Sequence, residues 1–181
     1  MALALPGRNA TQGAPLFGGR GLAAALALVL MLAAPRLLLA QDLKSVEIVG
    51  AGIFTSDTEQ SQRAANGIEV ATSSNIRLAV ATTTIPIQQG VEFGISFRLA
   101  GTSGATVPIR TTIVFPSPGL MPPGKPAVRQ SDIDETRKIG TTGYRGFSLD
   151  EPFEKVPGVW IFQVWSGNRK LAEQSFTVVA R

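Results

Sequence analysis

The 181 residues include no histidine and no cysteine, so any chemistry falls to carboxylates, amines, guanidinium groups, hydroxyls, one tyrosine and two tryptophans. The double absence removes disulfides, thiolate nucleophiles, Cys-ligated zinc, iron–sulfur clusters and an acylated cysteine anchor. It also removes Ser-His-Asp and Cys-His sites, His-ligated metals and the imidazole pH switch. Two groups of acids remain to be weighed. Asp132, Asp134 and Glu135 place three carboxylates in four positions, enough to offer oxygens to calcium, but the run lacks the glycine-punctuated spacing of a calcium loop and reads as a solvated acidic turn. Asp150, Glu151 and Glu154 precede Trp160. Paired carboxylates can hydrolyse a glycosidic bond, yet acids this close in sequence rarely face each other across a substrate. They read better as a polar corner whose carboxylates cap the turn before Pro157-Gly158. No metal and no cofactor is expected.

Trp160 and Trp165 lie five residues apart on one expected strand and so point to opposite faces. One belongs to the core. Trp165, beside a polar turn, is the candidate for an exposed aromatic that touches carbohydrate or a protein partner, with Arg169 and Lys170 next to it; packing at the hairpin end is the plainer reading. The patterns G-x-S-x-G, S-x-x-K and G-x-x-x-x-G-K-[ST] are absent, and the one N-x-[ST] match is Asn9-Ala-Thr11. An enzyme is therefore not expected.

The elements that must position these residues are strands. From residue 43 onward the apolar pattern has period two. Val91, Phe93, Ile95, Phe97 and Leu99 share one face, and Val107, Ile109, Thr111, Ile113 and Phe115 share another, with residues 101–104 as a turn. The two runs read as a hairpin. Arg77, Arg98 and Arg110 fall on outward positions and read as solvated surface. A second hairpin is expected from Val159–Trp165 and Leu171–Val179 about Ser166-Gly167-Asn168. Val46, Ile48 and Gly50 open an earlier strand, and residues 76–84 make another. Five prolines between 116 and 126 read as a stiff surface crossover. Residues 131–139 fit either one or two helical turns or an irregular strand. Seven or so strands with frequent turns point to an immunoglobulin-like antiparallel β-sandwich, with a closed barrel as the alternative.

Residues 1–40 read as a signal peptide. They carry Arg8, Arg20 and Arg36 but no acid, an apolar run over residues 21–34 ended by Pro35, and Ala40 at the expected cleavage point. An uncleaved anchor is the alternative, although Pro35-Arg36 cuts the run short of a full span. The remaining single domain, residues 41–181, has 14 basic and 13 acidic residues, since three of the chain's 17 basic residues lie in the leader. Its net charge is +1, not the +4 of the whole chain. Nucleic acid is accordingly not an expected partner.

The run Gly143-Tyr144-Arg145-Gly146-Phe147-Ser148-Leu149-Asp150-Glu151-Pro152, the stretch Val156 to Trp165 and the segment Lys170 to Val178 resemble the exported bacterial family catalogued as domain of unknown function 3859. Gly52-Ile53-Phe54-Thr55 and Pro118-Gly119-Leu120 agree with it. The resemblance implies an exported β-sandwich and transfers no catalytic residue. The expected function is a non-enzymatic envelope module, periplasmic or secreted, that binds an envelope protein through a sheet edge or end loops. The alternative is a carbohydrate or small-ligand binder built on Trp165.

Overall fold

In a computed structural model, residues 43–180 are described; the expected leader and the cleavage point after Ala40 lie outside the described residues. The strands are β1 Leu43–Arg63, β2 Glu69–Ala81, β3 Thr84–Pro86, β4 Glu92–Gly101, β5 Thr106–Val114, β6 Gln130–Lys138, β7 Thr142–Ser148, β8 Gly158–Ser166 and β9 Arg169–Val179, with a 3-10 turn at Pro152–Glu154. They form two sheets, ordered β2-β1-β4-β7 and β3-β9-β8-β5-β6. All pairings are antiparallel except that of β3 with β9. Among the described residues no helix is long and apolar enough to cross a membrane. The expected sandwich is therefore present, with nine strands in place of about seven; β3 and β7 are the additions.

Alternation places the core as expected. Phe93, Ile95, Phe97 and Leu99 of β4 are buried, as are Val107, Ile109, Thr111 and Ile113 of β5, and Trp160, Phe162 and Val164 of β8. The Phe93 ring meets Trp160, Phe162 and Phe176 edge-on at centroid distances of 5.4, 5.5 and 5.5 Å, the arrangement favoured by aromatic quadrupoles. Trp160 satisfies its indole by donating to the Val156 carbonyl at 3.0 Å.

The pairing of β4 with β5 as a hairpin is overturned. β4 pairs with β1 and β7, and β5 pairs with β6 and β8 in the other sheet. Alternation reveals that a strand hides one face; it does not reveal what lies beside that strand. The connection at 102–105 carries the chain across the sandwich, so the two apolar faces meet through the core instead of lying side by side. Residues 131–139 form β6, which decides between strand and helical turn. The proline-rich stretch does join two strands, β5 and β6, and is pinned by buried Leu120, which exchanges backbone hydrogen bonds with Val128 at 2.8 Å.

β1 outruns its own sheet. It pairs with β4 only as far as Phe54 but continues with β2 to Arg63. Register shifts between Ile53 and Phe54, Thr55 and Asp57, and Thr58 and Gln60 mark bulges, which bend a ribbon. The outer part of the β1–β2 hairpin is therefore an arm. Its tip returns to the body: Ile68 is buried among core residues, Arg63 pairs with Glu151 at 3.1 Å, and a Cβ on Gly67 would lie 2.7 Å from Pro122. Gly67, with φ +87°, suits both the turn and the close approach.

Candidate functional site

Between the arm and the strands β6 and β7 lies a cleft of about 590 Å³. Residues 70–73 of β2 and residues 144–148 of β7 line it consecutively. Successive side chains of a strand point to opposite faces, so an unbroken run along a wall means that the strand presents its edge. β2, β7 and β6 each hydrogen-bond to one neighbour within their sheets. The cleft is thus flanked by free sheet edges.

Its polar groups have definite partners. On the outer face of β7, Tyr144 donates to Glu92 Oε1 at 2.9 Å, and Ser56 of the arm donates to Glu92 Oε2 at 2.7 Å. The Tyr144 ring packs on Phe54, 4.9 Å between centroids. Burial and the Glu92 carboxylate hold the phenol protonated far above its ordinary range. Gly146 gives the ring its room, since a Cβ there would lie 2.0 Å from the Tyr144 hydroxyl.

Arg145 has the opposite direction. It stands across β4 from Ile95 and between Gly143 and Phe147, which are buried, so it points between the sheets. Its Nη2 donates to Ser131 Oγ at 2.9 Å and to the Ser131 carbonyl at 3.4 Å. Its Nε is sealed from solvent without a partner. Burial lowers the pKa to about 10, against the raising influence of Glu135 and Asp132. On β6, Glu135 Oε1 lies 2.9 Å from Arg137 Nε, without the alignment of a hydrogen bond, and the Arg137 guanidinium lies 5.9 Å from the centre of the Phe97 ring. Glu154 closes one end of the cleft. Buried, it accepts the backbone N–H groups of Asp150 at 3.0 Å and Glu151 at 2.7 Å, and burial raises its pKa despite them.

The residues singled out by sequence fall elsewhere or apart. Asp132, Asp134 and Glu135 sit on a strand and not in a turn, so alternation puts Glu135 on the face opposite Asp132 and Asp134. Asp132 accepts from Thr112 at 2.6 Å and Gln130 at 2.7 Å, and Asp134 is paired with outward-facing Arg110 at 2.8 Å, while Glu135 turns inward. Asp150, Glu151 and Glu154 do form a capped corner, with Glu154 as the cap. Trp165, Arg169 and Lys170 come together at the β8–β9 turn. Trp165 is partly buried and donates to Gln163 at 3.0 Å; Lys170 lies 5.9 Å from its ring centre and pairs with Glu173. Arg169 donates to the Leu43 carbonyl at 3.0 Å, which ties the start of β1 to this turn.

Sequence reasoning missed Arg145, Tyr144 and Glu92. A signal for Arg145 existed in the run Gly143-Tyr144-Arg145-Gly146-Phe147, where the parity of Phe147 puts an arginine on the apolar face. Nothing local foretold that the arm would stand opposite.

Residues 43–178 match the family model described as domain of unknown function (DUF3859). No curated protein matches the chain. Among solved structures, an immunoglobulin-like protein from Pseudomonas aeruginosa is similar, with 25% identity and a TM-score of 0.55 over 77% of this chain and 99% of that one. A β-glucosidase from Listeria innocua in complex with glucose is similar at 8% identity and a TM-score of 0.30, over 70% of this chain and 16% of the glucosidase.

Proposed function

The chain belongs to the DUF3859 family, and from that membership and the cleft we propose that it is an exported, non-enzymatic module of the bacterial envelope that binds a segment of a protein partner along a sheet edge. The observation that carries this reading is the cleft walled by edge-on runs of β2 and β7. Unpaired strand edges offer backbone donors and acceptors to an extended segment, which gains main-chain hydrogen bonds by joining the sheet. Inward-facing charges on edge strands deter indiscriminate pairing. Arg145, Glu135 and Arg137 occupy such positions, so they discriminate among segments. Export is supported by the leader-like residues 1–40. The non-enzymatic reading is supported by the lack of histidine and cysteine and by the engagement of Glu92 and Glu154 in structural hydrogen bonds.

A second reading rests on Trp165, whose partly exposed indole is set among Gln163, Lys170 and Glu173, a polar rim suited to a saccharide. The two are separated by affinity capture of envelope proteins, scored by crosslinks from photoreactive groups at Val70 and at Trp165, alongside a glycan array. A protein partner crosslinked from Val70 supports the cleft. Saccharide binding lost in Trp165→Ala, with no protein captured, replaces it.

A further inference from the structure

We infer that Arg145 is the anchor for a single carboxylate on the bound segment, with neutral or basic groups flanking that acid. The inference rests on the segment-binding role proposed for the cleft and adds the chemistry of its occupant.

Arg145 is poorly served by its own protein. Its Nη2 is held by the neutral oxygens of Ser131 and its Nε has no partner. Among the described residues no carboxylate comes within 4.0 Å of it, whereas Arg63, Arg110 and Arg137 each have one. A guanidinium withdrawn from water with no carboxylate in contact is unfavourable, and the charges of Glu135 and Asp132 offset only part of that burial. The group nonetheless lies in the wall of an open cleft. Its planar fork matches a carboxylate bidentately, and such an ion would meet the terminal guanidinium nitrogens, since Nε is sealed from solvent.

The surroundings limit how much negative charge can enter. Glu69, Glu92, Glu135, Asp150 and Glu154 line the cleft against Arg137 and Arg145, so the walls carry more acid than base. A polyanion is repelled by that field, while one acid with basic or neutral neighbours is accepted. The acid can be a side chain or a chain terminus, since both present the same two oxygens.

The test begins with a phage-displayed library of random decapeptides panned on the purified full chain. The tightest peptide is then synthesised in four forms: with a free C-terminus, amidated, with each Asp or Glu replaced by its amide, and with two further acids beside the first. Calorimetric titration is expected to show that neutralising one particular carboxylate weakens binding at least tenfold, and that the added acids weaken it as well. Loss on amidation identifies the terminus; loss on side-chain replacement identifies the acid. In Arg145→Gln the acid and amide forms should bind alike. Because removing a buried guanidinium also disturbs the packing around it, two further measurements accompany that variant. The Nε–H resonance of Arg145 in the unaltered protein should move with the acidic peptide and not with its amide form, and Arg145→Lys should restore part of the preference for the acid. Peptides that bind equally well with and without their carboxylates, or an acid preference that survives in Arg145→Gln, would overturn the inference while leaving segment binding intact. Enrichment of no peptide would remove the segment-binding role and this inference with it.

Discussion

Tyr144 and Glu92 are 52 positions apart in sequence, yet the phenolic hydroxyl of one donates to the carboxylate of the other at 2.9 Å, at the point where the arm meets the sandwich. Burial, and then the charge and hydrogen bond of Glu92, raise the phenol's pKa. Because the folded value exceeds the unfolded one, this contribution is fully present below about pH 10 and declines as pH rises beyond it. Tyr144 is the chain's one tyrosine, so near-ultraviolet phenolate absorbance reports it alone. Phenolate should appear only together with loss of the fold. A reversible midpoint near the ordinary ~10 in intact protein would contradict the environment described.

Gly94 of β4 faces Gly146 of β7, and a Cβ on Gly94 would lie 2.1 Å from the Arg145 carbonyl oxygen. Real Cβ atoms do not come that close to backbone, so Gly94→Ala must push β7 away. Amide hydrogen exchange should show lost protection in β7 and at its pairings with β4, with β8 and β9 much less affected. Uniform protection in the variant would mean that β7 is not seated against Gly94.

Trp160 is fully buried and touches Phe93, Phe115 and Phe147 with its ring. Removing it leaves a large void in a packed core. Trp160→Ala should lower unfolding free energy by about 3–5 kcal/mol, whereas Trp165→Ala, at a partly exposed site, should fall well short of that. Denaturant melts that rank the two in reverse order would refute the placement of the two faces.

Glu154 titrates in the opposite stability sense from a paired surface acid. Burial raises its pKa above the ordinary 4.5, so the folded state holds this proton in a window where the unfolded state has released it. Its contribution is most favourable below that window and is lost as pH climbs through the raised value. Relative to Glu154→Gln, the unaltered protein should therefore lose stability as pH rises above about 4.5. Thermal melts of the two proteins across that range make the comparison. A difference that stays flat, or grows in the other direction, would show that the two backbone hydrogen bonds outweigh burial.

The sandwich was legible because alternation registers burial directly: the inward positions of β4 and β5 could be named from spacing, and β8 and β9 could each be divided into two faces. Partners were harder to name. The run from Val91 to Leu99 and that from Val107 to Phe115 fit a hairpin as well as a crossing between sheets, and only the core behind them decides. The cleft was less legible still. Its three chief residues come from β4 and β7, and the arm opposite exists because β1 passes Phe54 without stopping. Glu92 reads from spacing as an ordinary outward residue, and only the parity of Phe147, two positions on, marks Arg145 as inward. The acids at 132–135 misled for a related reason. As a turn all three would converge, but as a strand Glu135 faces away from Asp132 and Asp134.

The arm is held at two places, by Phe54 at its root and by Ile68 at its tip, while residues 69–73 of its β2 side, which line the cleft between root and tip, lie outside the core. That arrangement separates inheritance of the scaffold from variation of the wall facing a guest. Within a lineage the root and tip are expected to stay apolar, while the stretch between drifts, lengthens or changes charge. New guests could then be acquired without the aromatic interior ever being reopened to selection.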